Sequence, residues 1–245
     1  HRCSEARDQT RNTPGYAWVA VGLLWLAFLI NYVDRGVVFP MFPALREELG
    51  FTNTQLGLIG SLFLWSYALC QPLVGRLADV VSRPRIVVIS LILFSLSTLA
   101  TGLSRSVGMF LSARIMVGIT EGLYAPAAYG LIAALHSPTT RSRALALHGT
   151  AQLTGVVVGS WYGGWMADRY GWRWGLEILA VVGMLYAPCL WAYLRALPKV
   201  QGPPRGPRAS PVEVFRSRCY WTLMLVFFCF CLILWMIYGW LPSFI

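Results

Sequence analysis

The chain has 245 residues and a net charge of +10, yet it is 57% hydrophobic and only 12% charged. Soluble domains carry about a quarter charged residues, and uncharged runs of roughly 20 residues mark bilayer-spanning helices, so a soluble globular core is excluded. Nucleic-acid binding is excluded as well: the basic residues, all arginine except Lys199, form no block or face and sit in short segments between apolar runs.

In chain order, residues 1–15 are polar and read as a cytoplasmic tail rather than a secretory signal, because the apolar run behind them is too long and leads into further structure. Seven helical spans are predicted at about 16–40, 55–74, 86–104, 108–135, 144–166, 174–194 and 219–241. Spans 16–194 form a six-helix bundle, 195–218 a basic proline-rich cytoplasmic linker, and 219–245 a seventh span that opens a second bundle. With a cytoplasmic N-terminus, Arg76, Arg83, Arg85, Arg141, Arg143 and the linker's basic residues all face the cytoplasm. Only Arg46, Arg105, Arg169 and Arg173 face outward, as expected of a plasma or bacterial inner membrane protein. The cysteines lie in apolar runs or the tail without metal spacing and read as packing residues.

The second and fifth spans close on related segments, GRLAD (Gly75 to Asp79) and GWMAD (Gly164 to Asp168), each followed by arginines. Three spans separate the copies, which suggests an inverted three-plus-three repeat of the kind found in secondary transporters.

The segment GRLADVVSRPR resembles the cytoplasmic loop signature of the major facilitator superfamily, matching at Gly75, Leu77, Asp79 and Arg83 and departing at Val80, Ser82 and Pro84. RIMVGITEGLYAPAA resembles that family's fourth span. NYVDR, SYALCQPLVGRLAD, GWRW and YGWLPSFI resemble its anion:cation symporter branch most, with the Spinster-like lipid carriers as second choice. The resemblance implies an all-α polytopic fold of two six-helix bundles, of which this chain supplies the first bundle and the seventh span. The chain then looks truncated, and transport requires the missing C-terminal half. It further implies that Gly75, Asp79 and Arg83 act in a conformational, gating loop. An antiporter signature would place proline after Gly159, where Ser160 stands.

Charges inside a bilayer are costly and face a cavity or a partner. In the first span Asn31, Asp34 and Arg35 share roughly a third of the helix circumference; the alternative sets Asp34 and Arg35 at the outer rim. In the fourth, Arg114 and Glu121 are seven residues apart, two turns and roughly 10.5 Å along one face. Gly118, Gly122, Pro126 and Gly130 follow at intervals of four, as at a close helix contact. Arg35 and Arg114 are candidate ligands for an anion, since guanidinium pairs bidentately with carboxylate or phosphate. Asn31, Tyr32 and Tyr124 join them as candidate substrate contacts, and Tyr67 and Tyr129 are further possible hydroxyls. Glu121 is the candidate proton carrier, or a structural partner that holds Arg114; Asp34 is the second proton candidate, or the group that orients Arg35. Trp161, Trp165, Trp172 and Trp174 read as an interfacial belt, Gly155, Gly159 and Gly163 as a packing face, and Glu177 as a residue without a pairing role, the alternative being a pair with Arg173 one turn earlier. His136 and His148 receive no role.

No H-E-x-x-H, G-x-S-x-G or phosphate-cradling loop occurs, so neither an enzyme nor a cofactor is expected. The expected function is secondary transport of a small organic anion such as a sugar acid or carboxylate, coupled to H+ or Na+. The alternatives are a lipid carrier, or a non-transporting half that regulates a partner.

Overall fold

The computed structural model describes residues 15–198 and 216–240; the side chains of 72–76, 78–80 and 234–240 lie outside the described residues. The expected tail and most of the expected linker therefore lie outside them too, as do the side chains of Gly75 and Asp79. The chain divides into two compact units, His1–Val200 and Gln201–Ile245.

All regular elements among the described residues are helical. In the first unit they are α1 (Gly15–Val37), a 3-10 turn (Phe39–Met41), α2 (Phe42–Leu49), α3 (Asn53–Val80) and α4 (Arg83–Gly102). There follow α5 (Val107–Gly122), α6 (Tyr124–Leu135), α7 (Pro138–Arg169) and α8 (Trp172–Ala196). The second unit holds α9 (Arg218–Trp240).

Local chemistry sets the ends. Thr52 and Gln55 cap α3 reciprocally: the Gln55 backbone N–H donates to the Thr52 hydroxyl, and the Thr52 N–H to the Gln55 side chain. Pro84 and Pro138 fill first-turn positions of α4 and α7, where a missing N–H costs nothing. Gly50, at φ +71°, closes α2 in the left-handed conformation that glycine adopts without penalty.

The expected fourth span is two helices, α5 and α6, that meet at Leu123. Pro126 has no N–H to offer the carbonyl of Gly122, so the helical ladder is interrupted there. Among the described residues, four stretches are long and apolar enough to cross a membrane by length and composition: Gly15–Leu49, Arg83–Gly102, Val107–Leu135 and Trp172–Ala196. Helices α3 and α7, with 28 and 32 residues, are long enough but diluted by glycine, serine, threonine and glutamine. Both nevertheless expose large apolar side chains, Trp65 and Leu69 on α3 and Val157 and Trp161 on α7.

Within the first unit α1 packs along α7, α3 along α5, and α4 along α8. Exchanging the first three spans with the next three carries the first pairing into the second and the third into itself, the relation expected of an internal repeat. Glycine makes the α1–α7 contact possible. A Cβ at Gly159 would meet the backbone of Val33, one at Gly163 the carbonyl of Val37, and one at Gly36 the carbonyl of Val156. The two backbones touch directly, so the packing face expected of Gly155, Gly159 and Gly163 is present and directed at the first span.

One aromatic expectation is corrected. Trp172 is not in an interfacial belt: it is buried, and its indole N–H donates to Glu48 at 2.6 Å. Arg173 pairs with Glu48 rather than with Glu177, and also donates to the Ser104 carbonyl at 2.9 Å. Helix α2 brings Glu48 over the start of α8, a contact between residues too distant in sequence to be anticipated from local spacing. Trp161, Trp165 and Trp174 remain exposed.

Candidate functional site

The intramembrane charges come together, with partners that cross between helices. Arg35 on α1 donates through Nε to Glu121 Oε2 on α5 at 2.7 Å. Arg114 on α5 donates through Nη1 to Asp34 Oδ2 on α1 at 3.1 Å. Thr98 on α4 donates its hydroxyl to Asp34 Oδ1 at 2.7 Å. Two expectations are corrected here. Glu121 does not hold Arg114: its ion pair is with Arg35, and that of Arg114 is with Asp34. Asp34 does not orient Arg35, because adjacent residues on a helix diverge and α5 offers each a facing partner.

The cluster is interior, not at the outer rim. Asp34, Arg114 and Glu121 are buried, and the Arg35 side chain alone is partly open, at 16%. Aromatic rings surround the Arg35 guanidinium: Tyr32 at 4.4 Å, Tyr67 at 4.5 Å and Phe63 at 5.1 Å from ring centre to Cζ. Phe63 also lies 5.2 Å from the Arg114 guanidinium. One electron-rich ring thus stands within reach of both cations and offsets part of their repulsion. Helix α3 can bring Phe63 this close because Gly118 leaves room: a Cβ there would collide with Phe63 and Ser66.

Hydrogen bonding in the cluster is incomplete. Glu121 Oε1, Arg114 Nε and both amide atoms of Asn31 are buried without a partner. A buried polar atom without a bond is costly, and an explanation is owed for each. Tyr124 is corrected in its placement: it is fully buried, and its hydroxyl donates to the Leu24 carbonyl at 2.6 Å, so it packs α6 against α1 instead of facing the charges. Tyr129 is exposed and stands edge-on to Phe28 and to His148.

Of the expected gating-loop residues, Arg83 is described. It opens α4 and donates to the Gly130 carbonyl at 2.8 Å, lying where a side chain at position 130 would sit. Arg173 stands at the matching place in the second half, at the start of α8. Each arginine reaches from the third helix of its own half to a carbonyl on the other half, so the repeat extends to the contacts of the two loops.

Sequence reasoning missed Thr98 and Phe63. A lone threonine in an apolar span usually bonds its own helix, as Thr101 does to Ser97, and a phenylalanine there is ordinarily lipid-facing or core. Neither carries a separate signal.

Comparisons with known proteins bear on the family and the fold. The chain is 32% identical over 169 residues to Protein spinster of Drosophila melanogaster, covering 69% of this chain and 28% of that one. It is 26% identical over 206 residues to the probable galactarate/D-glucarate transporter GudP of Bacillus subtilis, covering 80% and 43%. It is 27% identical over 247 residues to the probable sulfoacetate transporter SauU of Cupriavidus necator, covering 92% and 56%. The chain thus spans about half the length, or less, of these relatives. In fold it is similar to a bacterial homologue of the human lysosomal transporter Spinster in an inward-facing, unoccupied conformation. The TM-score is 0.70 at 24% identity, covering 82% of this chain and 47% of that one. The Major Facilitator Superfamily pattern matches residues 24–245, and with an all-helical bundle and apolar spans the chain belongs to that superfamily of multi-pass membrane transporters.

Proposed function

We propose that the protein is the N-terminal part of a secondary transporter that moves a small organic anion by alternating access, in symport with a proton or sodium ion. The observation that carries this reading is the Arg35–Glu121 pair, in which Arg35 is partly open and Glu121 keeps one oxygen free. The four charges of the cluster, Arg35, Arg114, Asp34 and Glu121, sum to zero. A carboxylate substrate adds one negative charge in a medium where an uncompensated charge is expensive. One cation restores neutrality, so anion and cation bind more favourably together than apart. A proton on Glu121 does this and also loosens its hold on Arg35, whose guanidinium then receives the substrate. Arg114, Asn31 and Tyr32 complete the proposed substrate contacts, with Asp34 as the second coupling carboxylate. Transport is assigned to the whole protein, with Gly75, Asp79 and Arg83 in the moving loop.

The test uses the full-length protein in liposomes. Glu121→Gln keeps the shape but cannot titrate. Gradient-driven uptake of a monocarboxylate such as D-gluconate is expected to be lost, while substrate-for-substrate exchange survives. Wild-type accumulation in this variant would remove Glu121 from coupling. The cytoplasmic N-terminus and linker are tested by labelling single cysteines: Ser82, Ser142 and Gln201 are expected to react from the cytoplasmic side, Thr52 and Ser106 from the other.

A second reading, a Spinster-like lipid carrier, is supported by the 32% identity to Protein spinster. An anionic headgroup would meet the same arginines. Transport of a lysophospholipid but of no water-soluble anion by the reconstituted protein selects this reading over the first.

A further inference from the structure

Outside the ion-pair cluster, Ser104, His136 and Arg141 each keep one buried side-chain atom without a partner, and His148 keeps two. His148, on α7, has no exposed surface, and neither of its ring nitrogens has a hydrogen-bond partner. Its ring lies flat on Phe28, at 4.6 Å and 11°, with Tyr124 stacked at 6.2 Å and Tyr129 edge-on at 5.5 Å. A phenylalanine would serve such a stack as well and bury no polar atom. The nitrogens therefore lack a structural explanation, and buried polar groups in native proteins are rarely left unbonded.

The position of the ring suggests what its partner is. Phe28, Asn31 and Arg35 fall on one side of α1, three and four residues apart. His148 is held at the level of Phe28, Asn31 comes next, and the arginine subsite lies above, roughly 10.5 Å along the axis from Phe28 to Arg35. Arg35 leans back over Tyr32 and shortens that gap. Asn31 is itself buried with both amide atoms unpartnered. Unmet donors and acceptors thus continue from Glu121 and Arg114 through Asn31 to His148. Imidazole and carboxamide each offer both a donor and an acceptor, the pattern that a hydroxyl group satisfies. Neither adds a formal charge to match a second anion, so the ladder suits the uncharged part of a substrate. Tyr129 is the ring of this group that reaches the surface.

We propose that His148 and Asn31 form a second polar subsite that hydrogen-bonds hydroxyl groups of the transported anion while Arg35 and Arg114 hold its carboxylate. The substrate class is then a hydroxylated carboxylate of several carbons, in preference to a plain alkyl acid of equal length. This rests on the organic-anion reading given above. A site built to bond a hydroxyl discriminates strongly against an analogue lacking it, because its own polar atoms are then left unpaired.

The experiment measures equilibrium binding to the purified full-length protein with two six-carbon monocarboxylates: D-gluconate, which carries hydroxyls, and hexanoate, which carries none. Wild type is expected to prefer D-gluconate. His148→Phe preserves the stack on Phe28 and is expected to weaken D-gluconate binding about tenfold while leaving hexanoate unchanged. His148→Gln restores a donor and an acceptor and is expected to keep much of the preference. Asn31→Leu, a second route should His148→Phe fail to fold, is expected to weaken D-gluconate binding more than hexanoate binding. The subsite is overturned if His148→Phe keeps the wild-type preference, or if the Phe and Gln variants lose both ligands alike, as a packing role requires. Equal wild-type affinity for the two acids also overturns it while leaving the anion reading intact. Wild type that binds neither acid takes down the anion reading and the subsite with it.

Discussion

Along α1, the side turned to α7 and the side turned to α5 are held by opposite means. Toward α7 the contact is backbone on backbone: Gly155, Gly159 and Gly163 admit Tyr32, Val33 and Val37 with no room for a side chain. Toward α5 the contact is made by long charged side chains, Arg35 to Glu121 and Arg114 to Asp34, with polar atoms left over. Close-packed backbone has one arrangement and resists change. Ion pairs with free valences exchange partners at modest cost when a proton or an anion arrives. The difference shows where the molecule is fixed and where it responds: α1 and α7 form a stiff pair, and the α1–α5 seam carries the proposed chemistry.

The largest expected effect strikes the charged side. Arg114→Ala leaves Asp34 buried with only the Thr98 hydroxyl, and breaking a buried pair in this way costs about 3–5 kcal/mol. Arg114→Ala with Asp34→Asn is expected to recover most of that loss, since no charge is then stranded, yet to remain unable to bind the anion. Thermal unfolding of the full-length protein in detergent, beside anion binding, separates the two effects. If the single variant melts at the wild-type temperature, the pair is not buried in the working protein.

The glycine side is expected to break less severely in free energy but without rescue by any partner. Gly159→Leu forces α1 and α7 apart at Val33, an overpacking cost of about 1–3 kcal/mol or more. It also displaces Asp34 and Arg35 relative to α5. Both stability and transport are expected to fall, and Gly159→Ala should show a weaker form of the same loss. Undiminished transport in Gly159→Leu would mean that the stiff pair does not set the position of the charges.

The division also explains what could be read from the sequence. Apolar runs, loop arginines and the GRLAD/GWMAD echo are imposed by the bilayer on each segment separately, so the helical bundle was legible. The charged residues were legible one by one, because charge in an apolar span needs a reason. Their pairing was not. Arg35 and Glu121 are 86 positions apart, and Arg114 and Asp34 are 80 apart; only the approach of α1 to α5 decides which carboxylate meets which guanidinium. The same limit hid Glu48 beneath Trp172 and Arg173. It also misdirected Tyr124, whose polar tip reads identically whether it faces a cavity or caps the carbonyl of Leu24.

Tyr124 gives the smallest expected effect and the sharpest check on where the responsive seam ends. Its hydroxyl is spent on the Leu24 carbonyl at 2.6 Å, and its ring stacks on Phe28 at 5.5 Å. Tyr124→Phe keeps the ring and removes one buried hydrogen bond, leaving the carbonyl of Leu24 to its place in the α1 ladder. A loss of about 1 kcal/mol in stability is expected, with anion affinity and its dependence on a pH gradient unchanged. The contrast lies with Tyr32, whose ring touches the Arg35 guanidinium at 4.4 Å. Tyr32→Ala is expected to weaken anion binding, because the cation then loses one wall of its cage. If Tyr124→Phe weakens binding as much as Tyr32→Ala does, the cavity extends past Phe28 in the transporting state. The packing assigned here to Tyr124 would then describe only one of the conformations the carrier visits.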